Sequence, residues 1–562
     1  MKILFLCHRF NSLSQRLYCE LTERGHEVSI ELDVHPDLMI EAVDLYRPDI
    51  VIAPFLKRKI PKEIWQKCIT LVIHPGPPGD RGPNALDWAI LGKKEKWGIT
   101  IIEATEEYDA GDIYAYREFP LRFTKKSTIY RHEVTDGAVE CVLEILENLE
   151  FGKINKQPQS DGVFNPVVPK DLRRIDWERD DTETILRKIY SSDGQPGAIA
   201  NIFGNDYYLF NAYRESHLKG KPGQLLAHRD EAICIGTKDG AIWIGNMRLD
   251  EKNAIKLPAI RVLPPSLLNT LREETLKPWE SVDFETYREI VYEELGGVGY
   301  INFNFYNGAM STEQCYRLLE VIKYAKSRPV KAIVLLGSED FFSNGMNLNT
   351  IEASESPADE SWRNINAMDD ICEEILTTTD KLTIAGLTGN AGAGGVFLAL
   401  ACDLVFAREG IVLNPHYKNI GNLYGSEFWT YTLPKRVGWE KAREIMENRM
   451  PISSSMALKL GLIDSVIGKS YREFVEKLKA KIESFVDSNE FKEFLNEVRK
   501  EKKKSWAIKP LRSYREEELE HMKLNFYGFD TSYHIARYYF VRRFLPFRTP
   551  PYLAIHRRYQ RV

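Results

Sequence analysis

Phe341-Phe342-Ser343-Asn344-Gly345-Met346-Asn347-Leu348 and Gly389-Asn390-Ala391-Gly392-Ala393-Gly394-Gly395 are the two stretches on which the fold of the C-terminal half turns. Each follows a short apolar run, Ala332–Leu336 and Leu382–Ala385, of strand length. Glycines just beyond a strand's end let the backbone approach a neighbour or a ligand closely. Two such loops in this order read as a pair of backbone N–H donors aimed at one oxygen, more than as close helix–sheet packing. Working outward, an α/β pattern begins at Tyr300 with strands predicted at Ile301–Phe305, Ala332–Leu336, Leu382–Ala385 and Leu404–Ala407. Past Ile467 the chain reads as charged helices, followed by an aromatic and basic tail from Arg537 to Arg561.

The N-terminal half alternates apolar runs (Ile3–Cys7, Val28–Leu32, Ile50–Ala53, Thr70–Ile73 and Ile99–Ile102) with helical segments such as Gln15–Arg24. That alternation predicts a parallel sheet with crossover helices, whose ligands gather beyond the carboxyl ends of the strands, so the loops starting at His8, Pro54 and His74 line one site. From about residue 165 the pattern shifts to short β-like runs, Tyr207–Phe210, Gln224–His228, Ala232–Ile235 and Ala241–Ile244, which suit a small antiparallel OB-like β-barrel. The expected organisation is a multidomain α/β chain: a parallel-sheet domain over 1–165, the barrel over 166–275, a charged linker over 276–296 carrying Pro278 and Gly296-Gly297, a second α/β domain over 297–470, and a C-terminal helical region over 471–562.

The composition of this 562-residue chain, 43% hydrophobic and 28% charged, is that of ordinary globular domains. A net charge of −5 spread along it makes no electrostatic case for nucleic acid. The eight cysteines are scattered singly, without C-x-x-C or a histidine at metal-ligand spacing, so neither a disulfide framework nor a metal site is expected. The opening apolar run stops at Cys7, before His8-Arg9, too short for a signal peptide or a membrane span; a cytoplasmic protein with no membrane partner is expected.

In Leu71-Val72-Ile73-His74-Pro75-Gly76-Pro77-Pro78-Gly79-Asp80-Arg81-Gly82 a histidine stands at a strand's carboxyl end before a rigid Pro/Gly loop. Its ordinary pKa, about 6.5, allows proton exchange near neutrality. Tyr108-Asp109-Ala110-Gly111-Asp112-Ile113, after the next strand, supplies a carboxylate to face it. The loop His8-Arg9-Phe10-Asn11-Ser12-Leu13-Ser14-Gln15-Arg16 is unusually polar for a strand-to-helix turn; Arg9 and Gln15 are candidate ligand contacts, and Ser12 or Ser14 a candidate helix cap. The pattern H-P-x-x-x-x-x-R-G, then G-[IV]-T, then D-x-G-D-[IM], resembles the 10-formyltetrahydrofolate-dependent formyltransferases over residues 1–165, and Asp171-Leu172-Arg173-Arg174-Ile175-Asp176-Trp177 with Pro196-Gly197-Ala198 resembles the C-terminal barrel of the methionyl-tRNA branch. The resemblance implies a catalytic role for His74 with Asp109, and a folate pteridine along the Phe55–Pro61 loop, with Phe55, Ile60 and Arg81 as cofactor contacts. The family's asparagine two residues before the histidine falls on Val72. Losing an oxyanion donor costs about 10²–10³ in rate, so another donor replaces it, or the acceptor is a thiolate and needs less help.

The two glycine loops, with Tyr300–Phe305, Ile384–Asp403 and Met456–Asp464, resemble the crotonase (enoyl-CoA hydratase/isomerase) family over residues 297–470. The resemblance implies Met346 and Gly394 as the amides of an oxyanion hole for a thioester. The family's hydrating glutamates align with Phe397 and His416, so water activation is not expected. Tyr417, in Asn414-Pro415-His416-Tyr417-Lys418, and Glu427, after Gly425-Ser426, are the candidate catalytic groups, with His416 in reserve.

A formyl-donor domain joined to a coenzyme A thioester domain implies formyl-CoA as the shared intermediate. It has no α-carbon; removing its only hydrogen as a proton and expelling thiolate yields carbon monoxide. The domain order resembles the HypX-type hydrogenase maturation family, which implies carbon monoxide supply to nickel–iron hydrogenase, 10-formyltetrahydrofolate and coenzyme A as the small molecules bound, and maturation proteins as receivers. Arg542 and Asn307 are candidates for holding coenzyme A. Two alternatives stand beside this: a formyl-CoA hydrolase or other acyl-CoA lyase releasing formate, and a CoA-binding scaffold for hydrogenase assembly.

Overall fold

The computed structural model describes residues 1–159 and 162–560. The chain forms two compact units: Met1–Glu274 with Phe284–Tyr287 and the final segment from Leu545, and Thr275–Asp283 with Arg288–Phe544.

In the first unit, strands β1 (Lys2–Cys7), β2 (Glu27–Leu32), β3 (Ile50–Phe55), β4 (Thr70–His74), β5 (Lys96–Glu103) and β6 (Ile113–Pro120) form one sheet in the order β2-β1-β3-β4-β5-β6. In β1, Ile3, Leu4, Phe5 and Leu6 are all fully buried, as expected of a parallel strand covered on both faces. The first four strands are parallel, but β5 runs antiparallel to β4, with His74 opposite Thr100, and β6 antiparallel to β5. The sheet is therefore mixed, where the apolar runs alone predicted parallel pairing throughout; periodicity carries burial but not strand direction. A second sheet of seven mostly antiparallel strands runs from Ala198–Ile202 to Arg272–Glu273 around a core that includes Ile185, Leu209 and Ile244.

The edge strand β2 is not open. Its Ile30 N–H donates to the Leu553 carbonyl (3.1 Å) and its Leu32 N–H to Thr549 Oγ1 (2.9 Å). Beneath this strap lies the buried carboxylate of Glu31, which accepts from Thr549 Oγ1 (2.8 Å) and Arg557 Nε (3.1 Å) and meets His556 Nε2 at 3.0 Å; Ser29 Oγ pairs with His556 Nδ1 (2.6 Å). The segment from Leu545 thus belongs to the first unit and corrects the expectation of one helical region over 471–562. Arg557→Ala removes one partner of a buried charge and is expected to lower the unit's unfolding free energy by about 3 kcal/mol, the low end for a broken buried pair because His556 remains; a denaturant melt checks it.

The second unit's main sheet has the order β7-β8-β9-β10-β11-β12, formed by β7 (Ile290–Leu295), β8 (Val298–Phe303), β9 (Ala332–Leu336), β10 (Leu382–Leu387), β11 (Leu404–Ala407) and β12 (Ser465–Val466). All neighbours are parallel except β7–β8. The stretch 276–296 is therefore not simply a linker: Ile290 and Tyr292 are buried core residues, and 284–287 ties to the first unit, where Arg229 Nη1 donates to the Tyr287 carbonyl (2.9 Å). Its alternating apolar residues were masked by the surrounding charge. The helices after 470 are not a separate region either. Phe474 and Leu478 pack on one face of the sheet, and Leu511, Met522 and Phe526 join the core on the other. Among the described residues, no helix is long and apolar enough to cross a membrane.

Candidate active sites

In the first unit the carboxyl ends of β1, β3 and β4 deliver the His8, Phe55 and His74 loops to one edge. His74 is buried, with Nε2 2.8 Å from Asp80 Oδ2 and Nδ1 3.6 Å from Asp109 Oδ2. The shorter contact is a hydrogen bond; the longer is not. Asp80 is anchored in turn, its Oδ1 accepting from Asn165 Nδ2 (2.9 Å), so it is the group that orients the ring. Asp109 lies in a left-handed conformation (φ +50°) and accepts from the Gly82 N–H (3.0 Å), which holds its carboxylate facing the other ring nitrogen. A Cβ on Gly76 would lie 2.3 Å from Asp80 Oδ2 and 2.6 Å from His74 Nε2, so only glycine leaves this pair intact. Asp80 was missed in the sequence because it stands inside the Pro/Gly loop, where an aspartate reads as turn chemistry.

Arg81 donates to Glu107 Oε2 (2.9 Å) and to the Tyr108 carbonyl (3.2 and 3.3 Å), steadying the Asp109 loop. Phe55 makes edge contacts with His8 and Tyr130. Ile60 differs from its expected role: its side chain is buried with Leu4, Met39 and Ala53, leaving only its backbone to meet a ligand. The cap of the helix Ser12–Glu23 is Asn11, not Ser12 or Ser14; its Oδ1 accepts from the Ser14 N–H (3.1 Å). Gln15 Nε2 donates to the Phe10 carbonyl (2.9 Å), and burial pushes the Arg9 guanidinium below its ordinary pKa.

In the second unit a small sheet brings the two glycine loops together: strand Phe341–Ser343 pairs in parallel with Asn390–Gly392, with Ser343 opposite Ala391. Met310 donates to the Gly345 carbonyl (2.9 Å) and accepts from the Asn347 N–H (3.0 Å), which in a parallel bridge turns the Met346 N–H the other way. Gly394 opens the helix Gly394–Leu400, where first-turn amides have no intrahelical carbonyl. A Cβ on Gly345 would sit 3.2 Å from the Gly394 nitrogen, and one on Gly394 would sit 2.1 Å from Glu427 Oε1. The loops and the Glu427 carboxylate thus converge. Asn307 stands nearby in the fold, exposed and left-handed (φ +57°), its carbonyl accepting from Asn344 Nδ2 (2.8 Å). Arg542 ends the helix Ser532–Arg542, its guanidinium over the Tyr538 ring.

Tyr417 and Glu427 are both buried, and the phenol oxygen lies 2.6 Å from Glu427 Oε2 and 2.9 Å from the Ser426 carbonyl. The phenol O–H donates into this pair of acceptors, and Glu427 Oε2 also accepts from the Ser426 N–H (3.3 Å). Two further carboxylates surround the turn. Asp369, on the helix Pro357–Leu376, accepts from the Glu427 N–H (2.7 Å) and Ser426 Oγ (2.8 and 2.9 Å); Glu518, on the helix Leu511–Tyr527, accepts from the N–H groups of Phe428 (2.9 Å) and Thr430 (2.8 Å). Glu427 and Phe428 are both left-handed (φ +58° and +59°), and these bonds hold them there. Burial, reinforced by Asp369, pushes Glu427 up to about 8; burial likewise raises Asp369, to about 7, against the pull of Arg515, and raises Glu518. His416 goes the other way: burial and Arg449 lower it to about 4, so it stands neutral. The buried Phe397 ring stacks on Tyr417, the ring centroids 5.3 Å apart.

Because these carboxyls titrate higher folded than unfolded, their stabilising contribution is complete below the ordinary carboxylate pKa of about 4 and disappears as pH rises through the raised values. The second unit's melting temperature is expected to fall between about pH 5 and about pH 9, and the fall to flatten in Glu427→Gln; calorimetry over a pH series checks it.

Models of known families match three parts of the chain: formyl transferase over residues 31–146, the formyl transferase C-terminal domain over 168–260, and enoyl-CoA hydratase/isomerase over 293–522. Over 562 residues the chain is 46% identical to hydrogenase maturation factor HoxX of Bradyrhizobium diazoefficiens, covering 99% of this chain and 97% of the relative. It is similar to crystal structures of HypX from Aquifex aeolicus, one of a variant and one in complex with tetrahydrofolic acid, at 69% identity and a TM-score of 0.97 over 99% of each chain.

Proposed function

Because the chain belongs to the HoxX/HypX family of hydrogenase maturation factors, we propose that it makes carbon monoxide for nickel–iron hydrogenase in two steps. In the first, the coenzyme A thiol attacks the formyl carbon of 10-formyltetrahydrofolate; the C–S bond forms, the C–N10 bond breaks, one proton leaves the thiol and one arrives on N10. His74 supplies the proton to N10, Asp80 orients the imidazole, and Asp109 steadies the charged ring. Phe55, the backbone at Ile60 and Arg81 border the folate, with Arg9 and Gln15 as further ligand contacts of the transfer site; Asn307 and Arg542 are the contacts proposed for coenzyme A in the second unit. In the second step the Met346 and Gly394 amides hold the formyl oxygen, Glu427 takes the formyl proton, and the C–S bond breaks with its electron pair on sulfur. Tyr417 protonates the thiolate and recovers its proton from Glu427, leaving carbon monoxide and coenzyme A.

The observation that carries this reading is the Tyr417–Glu427 pair against Gly394: a buried carboxyl of raised pKa, joined to a phenol, beside the second glycine loop. Incubation with 10-formyltetrahydrofolate and coenzyme A, with carbon monoxide and formate both assayed, tests it. Carbon monoxide is expected; formate alone marks a hydrolase, and neither product marks a scaffold.

A further inference from the structure

His8 follows β1 directly, and its side chain is used neither in the core nor in the chemistry above. Its Nδ1 lies 2.9 Å from Oδ1 of Asp33, whose side chain is fully buried at the end of β2, while the imidazole itself keeps 17% exposure. Asp33 is fixed by its own backbone, N–H to the Cys7 carbonyl (2.8 Å), and its Oδ2 is 3.4 Å from the Lys57 nitrogen. A carboxylate on Nδ1 keeps the proton there and leaves Nε2 with a lone pair. His8 also ties two loops together: its N–H donates to the Phe55 carbonyl (2.7 Å), its ring meets the Phe55 edge at 6.1 Å, and the next residue is Arg9. It therefore stands where the Phe55 loop and the Arg9 loop of the proposed transfer site meet.

We infer that His8 is the general base for the acceptor thiol, with Asp33 as its positioning residue. The inference rests on the transfer step proposed above and completes its proton account: His8 Nε2 takes the thiol proton as the C–S bond forms, His74 gives one to N10 as the C–N bond breaks, and the two imidazoles return to their starting states by exchanging one proton with solvent. A thiol of ordinary pKa, about 8.5, is only a few per cent thiolate at neutrality, so a base at this point matters most below that pH. The charged and titratable groups on the elements around His8 are Asp33, Arg9, Lys57, the Cys7 thiol and the phenol of Tyr130, which packs against Phe55.

The test is single-turnover formation of formyl-CoA by the full-length protein from 10-formyltetrahydrofolate and coenzyme A over a pH series, in wild type, His8→Gln and Asp33→Asn. His8→Gln is expected to fall by about 10²–10⁴-fold at neutral pH and to recover as pH approaches the thiol's own pKa, with tetrahydrofolate affinity unchanged; Asp33→Asn falls by less. A wild-type rate in His8→Gln, or a loss by the same factor at every pH, overturns the inference, the second because a ring that only shapes the loop has no reason to change the profile. His8→Asn replaces His8→Gln should the latter's melting temperature collapse. Wild type that binds tetrahydrofolate but forms no thioester sinks the transfer reading instead, a separate outcome.

Discussion

Glu427→Gln and Tyr417→Phe are each expected to reduce carbon monoxide release by about 10²–10⁴-fold while sparing formyl transfer, the range for loss of a positioned acid or base. Each substitution removes one ionisable proton with little change of volume, and each leaves the Met346 and Gly394 amides in place. The double variant is expected to be little worse than either single one, since a relay broken once is already broken. Formyl-CoA accumulates in all three. In wild type, the rate is expected to rise with pH through neutrality, because only the ionised Glu427 accepts the formyl proton and burial holds its pKa at about 8. Headspace carbon monoxide against pH measures both effects; release at the wild-type rate in both single variants would remove the assignment, and His416, held neutral, is the next group to test.

Loss of His74 is the second large effect. Because the ring is buried and paired, His74→Gln is a fairer test than His74→Ala, which would also open a cavity. Formyl transfer is expected to fall by about 10²–10⁴-fold with tetrahydrofolate binding retained. Asp80→Asn is expected to cost more than Asp109→Asn, in proportion to their contacts of 2.8 and 3.6 Å with the imidazole. Gly76→Ala, which puts a methyl into the His74–Asp80 hydrogen bond, is expected to resemble Asp80→Asn. Equal and full activity in all of these would refute the formyl-transfer centre.

What could be read in the sequence was what short stretches carry. The apolar runs located β1 to β4, the two glycine loops were legible as neighbours and their strands pair, and the ten-residue separation of Tyr417 and Glu427 was close enough to be guessed as a pair. The supporting carboxylates were out of reach for a physical reason: Asp369 and Glu518 lie 58 and 91 positions from Glu427 in the chain, on helices whose charged surfaces resemble any solvated face, and only packing brings them to the turn. Asp33 was hidden in the same way, at the end of a strand whose partner is known only once the sheet order is known. The antiparallel turn at β5 was missed because strand direction is not written in hydrophobic period, and the strand inside 276–296 because charged residues surround its few apolar ones.

The strap over β2 has a consequence for synthesis. A chain that emerges from the ribosome N-terminus first, at about 5–20 residues per second, exposes β2 for tens of seconds before Thr549 and Leu553 exist to cover it. Throughout that time the nascent sheet presents an unpaired edge with Glu31 lacking Thr549, His556 and Arg557. Maturation of the first unit is thus post-translational by construction, and a ribosome stalled in the second unit leaves the first one an unfinished, aggregation-prone client for chaperones.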